Sequence, residues 1–174
     1  MRSEVTALTV RELASDDLDA VAGIEQASNP NPWSRSLFEG ELRMSPSERH
    51  WIVGLVDDAV VGFAGAMFVG EDVHVMNVAV DPAVRGRGYG RALLAELLMR
   101  CVAQGGRQAT LEVRRGNMAA IALYRHFRLG PVGIRSRYYP DGEDALILWA
   151  HDIDSADYAA VLLRLGGRSG EAGD

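Results

Sequence analysis

The sequence predicts a single α+β domain around a mixed, mostly antiparallel sheet of about seven strands. Three observations carry that expectation. Apolar runs of strand length alternate along the chain with segments of helical period. Asp57-Asp58 lies between two such runs, where a hairpin would turn. From Val73 to Val113 a strand, a glycine-rich loop, a helix and a second strand follow in order, the plan of a parallel crossover. At 174 residues, 48% hydrophobic and 24% charged, the chain has the size and composition of one domain with a real core. Neither a repeat nor an interdomain linker interrupts it. The expected division is a domain over residues 1–152 and a C-terminal helix with a mobile tail over 153–174.

The elements can be justified in order. Val5 to Leu13 reads as a strand, and Ser15 is placed to cap a helix from Asp16 to about Ala27. Asn29 to Trp33, "NPNPW", must be a loop because it holds two prolines. Ser34 can cap a short helix carrying Leu37, Phe38, Glu41 and Leu42 along one side. His50 to Val56, Val60 to Val69 and Val73 to Val80 are strands, the last closed by Asp81-Pro82. The helix after the glycine loop runs to about Gln104 and stops at Gly105-Gly106. Gln108 to Val113 is a strand, and Asn117 can cap a helix to about Phe127. Val132 to Tyr139 and Ala145 to Ala150 are strands flanking the turn "PDGED". Ser155 to Arg164 forms a last helix, followed by the tail "GGRSGEAGD".

Composition excludes several kinds of chemistry. A net charge of −6 argues against nonspecific binding to nucleic acid or to an anionic membrane. No apolar run approaches the ~20 residues of a membrane span, and the start of the chain does not read as a signal peptide. The cytoplasm is therefore the expected location. One cysteine, Cys101, allows neither an internal disulfide nor a cysteine-rich zinc site, and no metal is expected. All 18 basic residues are arginine. The lysines of phosphate-loop and pyridoxal chemistry are thus missing.

The stretch "VAVDPAVRGRGYGRALLAELLMR" points to an anion. Arg85-Gly86-Arg87-Gly88-Tyr89-Gly90 joins a strand to a helix N-terminus, where unpaired N–H groups and the helix dipole attract phosphate. Glycine lets the backbone close on the ligand, and arginine adds charge-assisted bonds. The plainer alternative is a glycine turn with solvated arginines. The dinucleotide-binding order Gly-x-Gly-x-x-Gly is absent.

Arg85-x-x-Gly88-x-Gly90 after "NVAVDP" resembles the acetyl-CoA signature of the GNAT N-acetyltransferase superfamily. "LEVRRGNMAAIALY", "RYYPDGEDALIL" and "IEQASNPNPW" followed by "LFEGEL" are similar to the bacterial ribosomal-protein alanine N-acetyltransferases, the RimI type. The likeness runs from about Leu8 to Trp149. One departure is visible. The family usually has Leu-Gly-Phe three residues after the helix tyrosine, and here Phe127-Arg128-Leu129-Gly130 stands.

The resemblance implies the GNAT fold, with a splayed sheet. It implies acetyl-CoA as cosubstrate, its pantetheine held by the backbone of Val78 to Val80 (Val78, Ala79, Val80) and its pyrophosphate by Gly86 to Arg91 (Gly86, Arg87, Gly88, Tyr89, Gly90, Arg91). Asn117 matches an asparagine that contacts the CoA arm; its alternative role, a plain helix cap, is compatible. Tyr138 and Tyr139 match tyrosines bordering the groove for the acceptor's N-terminus, although paired aromatics also stiffen hairpins. Glu25 and Trp33 would form the opposite wall. The implied partner is a protein or peptide N-terminus, that of a ribosomal protein with a first alanine.

Acetyl transfer to an amine needs a neutral amine, a polarised carbonyl and a proton for the leaving thiolate. Glu112 lies inside the apolar strand "ATLEV", where a carboxylate is costly unless paired or used. Burial there would raise its pKa toward a useful base. An ion pair with Arg114 or Arg135 is the structural alternative, and His74 is a rival base on a strand feeding the same site. Tyr124 carries a phenol that stays protonated at neutral pH, though its stripe, Ala120, Leu123 and Phe127, also suits a core aromatic. The resemblance assigns the base to Glu112 and the proton donor to Tyr124. Cys101 shares the buried stripe of Leu94, Leu97 and Leu98, ~16 Å along the helix from the loop. It is expected in the core, which leaves direct attack in a ternary complex.

Three readings follow: an enzyme acetylating a protein's N-terminal amine, an enzyme of the same fold acting on a lysine or small-molecule amine, and a noncatalytic CoA-binding sensor. A sensor needs neither Glu112 nor Tyr124. The tyrosine pair favours the first reading over the second. Oligomeric state is not legible.

Overall fold

The computed structural model describes residues 7–166. Among them the chain forms β1 (Thr9–Glu12), α1 (Leu18–Ser28), α2 (Arg35–Leu42), β2 (Arg49–Val56), β3 (Ala59–Val69), β4 (Asp72–Val80), α3 (Tyr89–Ala103), β5 (Gln108–Arg114), α4 (Met118–His126), β6 (Gly130–Arg135), β7 (Ala145–Ala150) and α5 (Ala156–Gly166). The seven strands make one sheet in the order β1-β2-β3-β4-β5-β7-β6. Every neighbouring pair is antiparallel except β4 and β5, which are parallel across α3. The expected fold class is thus observed.

Local chemistry explains most boundaries. Asp57 and Asp58 both take left-handed φ (49° and 63°), as a tight hairpin between β2 and β3 requires. The Ser34 hydroxyl accepts from the Leu37 N–H at 3.2 Å and starts α2. The Asn117 side-chain Oδ1 accepts from the Ala120 N–H at 3.1 Å and starts α4. Ser155 accepts from the Tyr158 N–H at 3.2 Å at the start of α5.

Three expectations need correction. Ser15 does not cap the first helix, for Ser15–Asp17 is a 3-10 turn and α1 begins at Leu18. Asp17 shapes that entry instead: its carboxylate accepts from the Ala14 N–H at 2.8 Å and from Arg11 at 2.7 and 2.9 Å. Its hydrogen bonds with Arg11 hold it below the usual carboxylate range despite burial. The first strand is also shorter than expected, and Val5 and Thr6 lie outside the described residues. Finally, β6 stops at Arg135 rather than Tyr139. Arg137 turns to φ 50° and donates its N–H to the Asp144 carboxylate at 3.0 Å, so Tyr138 and Tyr139 belong to the turn. The predicted tail after Gly166 lies outside the described residues.

Two cores sandwich the sheet. On one, Leu18, Val21, Ile24 and Phe38 from α1 and α2 pack on Trp51 and Phe63 of β2 and β3. Phe38 meets Phe63 edge-on at 5.3 Å between centroids. Gly65 is required there, because a Cβ would collide with the Trp51 ring. The other core joins Leu93, Leu94, Leu97, Leu98 and Cys101 of α3 to Tyr158, Val161, Leu162 and Leu165 of α5. The Tyr158 hydroxyl donates to the Phe127 carbonyl at 2.7 Å, tying α5 to the end of α4. No helix among the described residues is long and apolar enough to cross a membrane.

Candidate active site

β4 and β5 are hydrogen-bonded partners only over Asp72↔Gln108, Val73↔Ala109 and His74↔Thr110. Beyond that root they part, leaving backbone groups of both strands available to a ligand. A bulge adds to the divergence: Gly65 of β3 faces Asn77 and Ala66 faces Val75, so Met76 is the extra residue on β4. A cleft of about 580 Å³ opens along this split.

The glycine loop follows β4. Gly86 and Gly88 have φ of 79° and 83°, a region that side chains other than glycine enter only with strain, and Gly88 is the N-cap of α3. Arg85 folds the loop back, donating from Nε to the Val80 carbonyl at 3.1 Å and from Nη2 to the Ser28 hydroxyl at 2.9 Å. Arg87 and Arg91 remain exposed beside the helix N-terminus. Tyr89 is buried and belongs to the core cluster of α3. Left-handed glycines, a helix start and two exposed guanidinium groups fit a pyrophosphate. Asn117 is seen as the cap of α4 and also lines the cleft.

At the root of the split, Glu112 and His74 meet. The His74 Nε2 to Glu112 Oε2 distance is 2.6 Å, and Arg135 Nε lies 3.3 Å from Glu112 Oε1. Glu112 therefore pairs with Arg135, not with Arg114, which is held by Asp141 at 2.8 Å and Glu143 at 2.9 Å. The Glu112 side chain is 13% exposed and His74 29%. Tyr124 lines the same cleft, its phenol pushed up to about 12 by burial and, less, by Tyr139. Cys101 is fully buried in the α3 core, its thiol pushed up to about 12 by burial, so it is no nucleophile.

Two walls face each other across the cleft. Glu25, 0% exposed, accepts from Asn29 Nδ2 at 3.0 Å, the Trp33 N–H at 3.2 Å and Asn77 Nδ2 at 2.8 Å. That one carboxyl group fixes the loop between α1 and α2 against β4. The Trp33 ring packs 5.4 Å from Phe38 and 5.8 Å from Trp51. Opposite, Tyr138 and Tyr139 meet edge-on at 5.1 Å, with the Arg114 guanidinium 4.1 Å from the centre of the Tyr139 ring. Burial pushes the Tyr139 phenol up to about 12.

The fold thus gathers Glu25, Trp33, Val78, Ala79, Glu112, Asn117, Tyr124, Tyr138 and Tyr139 round one cleft. Val80 and Gly86 to Arg91 lie outside its lining, at and beyond the end of β4. Sequence reasoning missed Asn77 as the partner of Glu25 and Arg114 as the support of Tyr139. Asn77 left a signal, as the one polar residue in the run Val75 to Val80.

A split sheet, a glycine-turned helix start beyond its end and titratable side chains at its root are the frame of a class of protein: an acyl-group transferase. The chain belongs to the acetyltransferase (GNAT) family, whose family model matches residues 18–128. It is 38% identical to the [ribosomal protein bS18]-alanine N-acetyltransferase of Salmonella typhimurium, over 80% of this chain and 95% of that one. It is 38% identical to N-alpha-acetyltransferase RimI of Mycobacterium tuberculosis, over 83% of this chain and 93% of that one. Among solved structures, the ribosomal-protein-S18-alanine N-acetyltransferase of Escherichia coli superposes with a TM-score of 0.76 at 34% identity, covering 83% of this chain and 94% of that one.

Proposed function

We propose that the protein transfers the acetyl group of acetyl-CoA to the N-terminal α-amine of a protein, that of a ribosomal protein beginning with alanine. The observation that carries this reading is one cleft lined by Glu112, Tyr124 and the tyrosine pair, with a pyrophosphate-shaped loop beyond its β4 wall. The name of the Salmonella typhimurium relative supports the same acceptor, and that of the Mycobacterium tuberculosis relative supports an α-amine. Acetyl-CoA supplies the activated thioester; Val78 to Val80 and Gly86 to Arg91 would hold it, Asn117 adding a contact.

The chain's own groups then divide the work. Glu25 and Trp33 on one side, and Tyr138 and Tyr139 on the other, bound a slot for the first residues of the acceptor. Proton removal from the amine falls to the pole around Glu112. The nitrogen lone pair forms the new C–N bond as the C–S bond breaks, and the Tyr124 hydroxyl supplies the sulfur's proton.

Proton affinity favours an α-amine over lysine. An α-amine titrates near 7.7–8.0 and lysine near 10.4, so at pH 7.5 roughly a third of the first is neutral but about one in a thousand of the second. The test compares kcat/KM for a short peptide beginning with alanine and for the same peptide with a blocked N-terminus and one internal lysine, with fragmentation to locate the modified nitrogen. The alanine peptide should be the faster. Equal or better use of the lysine peptide would move the protein to the lysine or small-molecule reading.

A further inference from the structure

Half of the sheet carries no helix on the face that α1 and α2 share. Those helices pack on β2, β3 and β4, and no described residue of β5, β6 or β7 enters their core. Strand register shows what the bare half presents. Met67, His74, Thr110 and Trp149 form one row across β3, β4, β5 and β7, with their side chains on the same face. Val69 lies on that face two residues beyond Met67, and Ile147 lies on it opposite Glu112. On the last strand Gly130 stands beside Trp149 and Gly133 beside Ile147, so no side chain rises at that flank. Among the described residues Met67, Val69, Ile147 and Trp149 pack into neither core. Val69 is 60% exposed and the other three are half-buried. The indole is set for apolar contact. Its Nε1 donates to Gln108 Oε1 at 2.9 Å, and His151 Nδ1 lies 2.8 Å from the same oxygen. The one polar atom of Trp149 is thus satisfied within the sheet, which leaves the ring itself for a partner.

We propose that this bare half of the sheet is a docking surface for the acceptor's own chain, taking an apolar segment about three to six residues behind the acetylated amine. The inference rests on the acetyl-transfer reading above and adds a feature of the acceptor that the first residue does not carry. Continuity selects the occupant. Met67, His74 and Glu112 line the cleft and also belong to this face, so cleft and bare sheet are one surface. Trp149 is one strand and two residues from Glu112 in the register, about 8 Å in a regular sheet. Val69 is two strands and four residues away, about 16 Å. An extended chain covers about 3.3 Å per residue, so one that starts beside Glu112 reaches Trp149 near its third residue and Val69 near its sixth. Tryptophan is the side chain most enriched among those that dominate binding energy at protein interfaces.

Two octapeptides beginning with alanine test this on the full-length enzyme, one with leucine at positions three to six and the other with serine there. With the wild-type protein the leucine peptide should show a kcat/KM higher by about tenfold or more, and the difference should lie in KM. Trp149→Ala and Val69→Asp should each shrink that preference to about twofold or less. Val69 is exposed at the end of its strand, so its variant keeps the test open where loss of the indole costs stability. Equal use of the two peptides by the wild-type protein, or a preference that both variants retain, would overturn the inference while acetyl transfer to an alanine peptide stands. Acetylation of neither peptide would overturn the inference together with the reading beneath it. Sedimentation of the wild-type protein and of Val69→Asp checks the other occupant, a second copy of this chain. A dimer that the substitution splits, with both octapeptides used alike, would assign the surface to that copy and overturn the inference.

Discussion

Glu25 and Asn77, 52 residues apart in sequence, meet at 2.8 Å across the floor of the cleft. Glu25 is wholly buried, and it also receives Asn29 and the Trp33 backbone. A buried carboxyl group is tolerated only when its oxygens are bonded. The hydrogen bonds of this one carboxyl group tie the loop between α1 and α2 to β4, just past the Met76 bulge.

The anchor can be tested by removing its donor. Asn77→Ala leaves one Glu25 oxygen without its bond, a cost of about 1–3 kcal/mol for a buried polar group. The loop between α1 and α2 should loosen while the glycine loop stays put. The expected outcome is a several-fold rise in the KM for peptide, with acetyl-CoA affinity unchanged. Steady-state kinetics in each substrate would read this split, and a loss of acetyl-CoA affinity matching the loss of peptide affinity would contradict it.

Tyr124 gives a prediction with a sign in pH. The form that the proposed proton donation needs is the protonated phenol, which exists below a pKa pushed up to about 12. As pH rises from 7.5 to 9.5 that form is fully retained, so kcat should not decline on its account. Tyr124→Phe should lower kcat by about 10²–10⁴-fold if acid assistance is fully used. The shape of the remaining profile over that range should be preserved. A wild-type kcat that falls steeply between pH 8 and 9.5 and a Phe variant that abolishes the fall would show that the hydroxyl ionises far lower.

Much of this was legible in the chain. Ser34 and Asn117 announce α2 and α4 because an oxygen one residue before a helical run satisfies an orphan N–H. Asp57-Asp58 announces a hairpin, and the glycine run announces the left-handed turn into α3. The end of β6 was not legible, because it depends on Arg137 finding Asp144 across the turn. Ser15 misled for a similar reason: Asp17 takes the capping bond once Arg11 has oriented it. Nor could spacing reveal which residues would meet at the root of the split. The bonds of His74 with Glu112 and of Glu25 with Asn77 join positions 38 and 52 apart, and only the assembled sheet brings them together.

The departure at Phe127-Arg128-Leu129 also has a physical reading, and a stability prediction follows from it. The Leu129 N–H donates to the Tyr124 carbonyl at 3.2 Å and the Arg128 N–H to the Arg125 carbonyl at 3.0 Å, the paired bonds of a helix closed by a left-handed residue. That residue is Arg128, at φ 58°. Glycine is usual here because a Cβ in the left-handed region costs roughly 1–2 kcal/mol. Phe127 and Leu129 are buried on either side, so the chain keeps its exit from α4 at the expense of that strain. The arginine side chain is exposed. Arg128→Gly should remove the strain, offset in part by about 0.4–1 kcal/mol of added freedom in the unfolded chain. A net gain of about 0.5–1 kcal/mol corresponds to a rise in Tm of about 1–4 °C for a domain of this size. Arg128→Ala serves as the control, since it deletes the same side chain but keeps the Cβ, and it should bring no gain. Thermal unfolding of the three proteins decides the matter: a glycine variant no more stable than the alanine variant would mean that the left-handed conformation is not what limits this helix end.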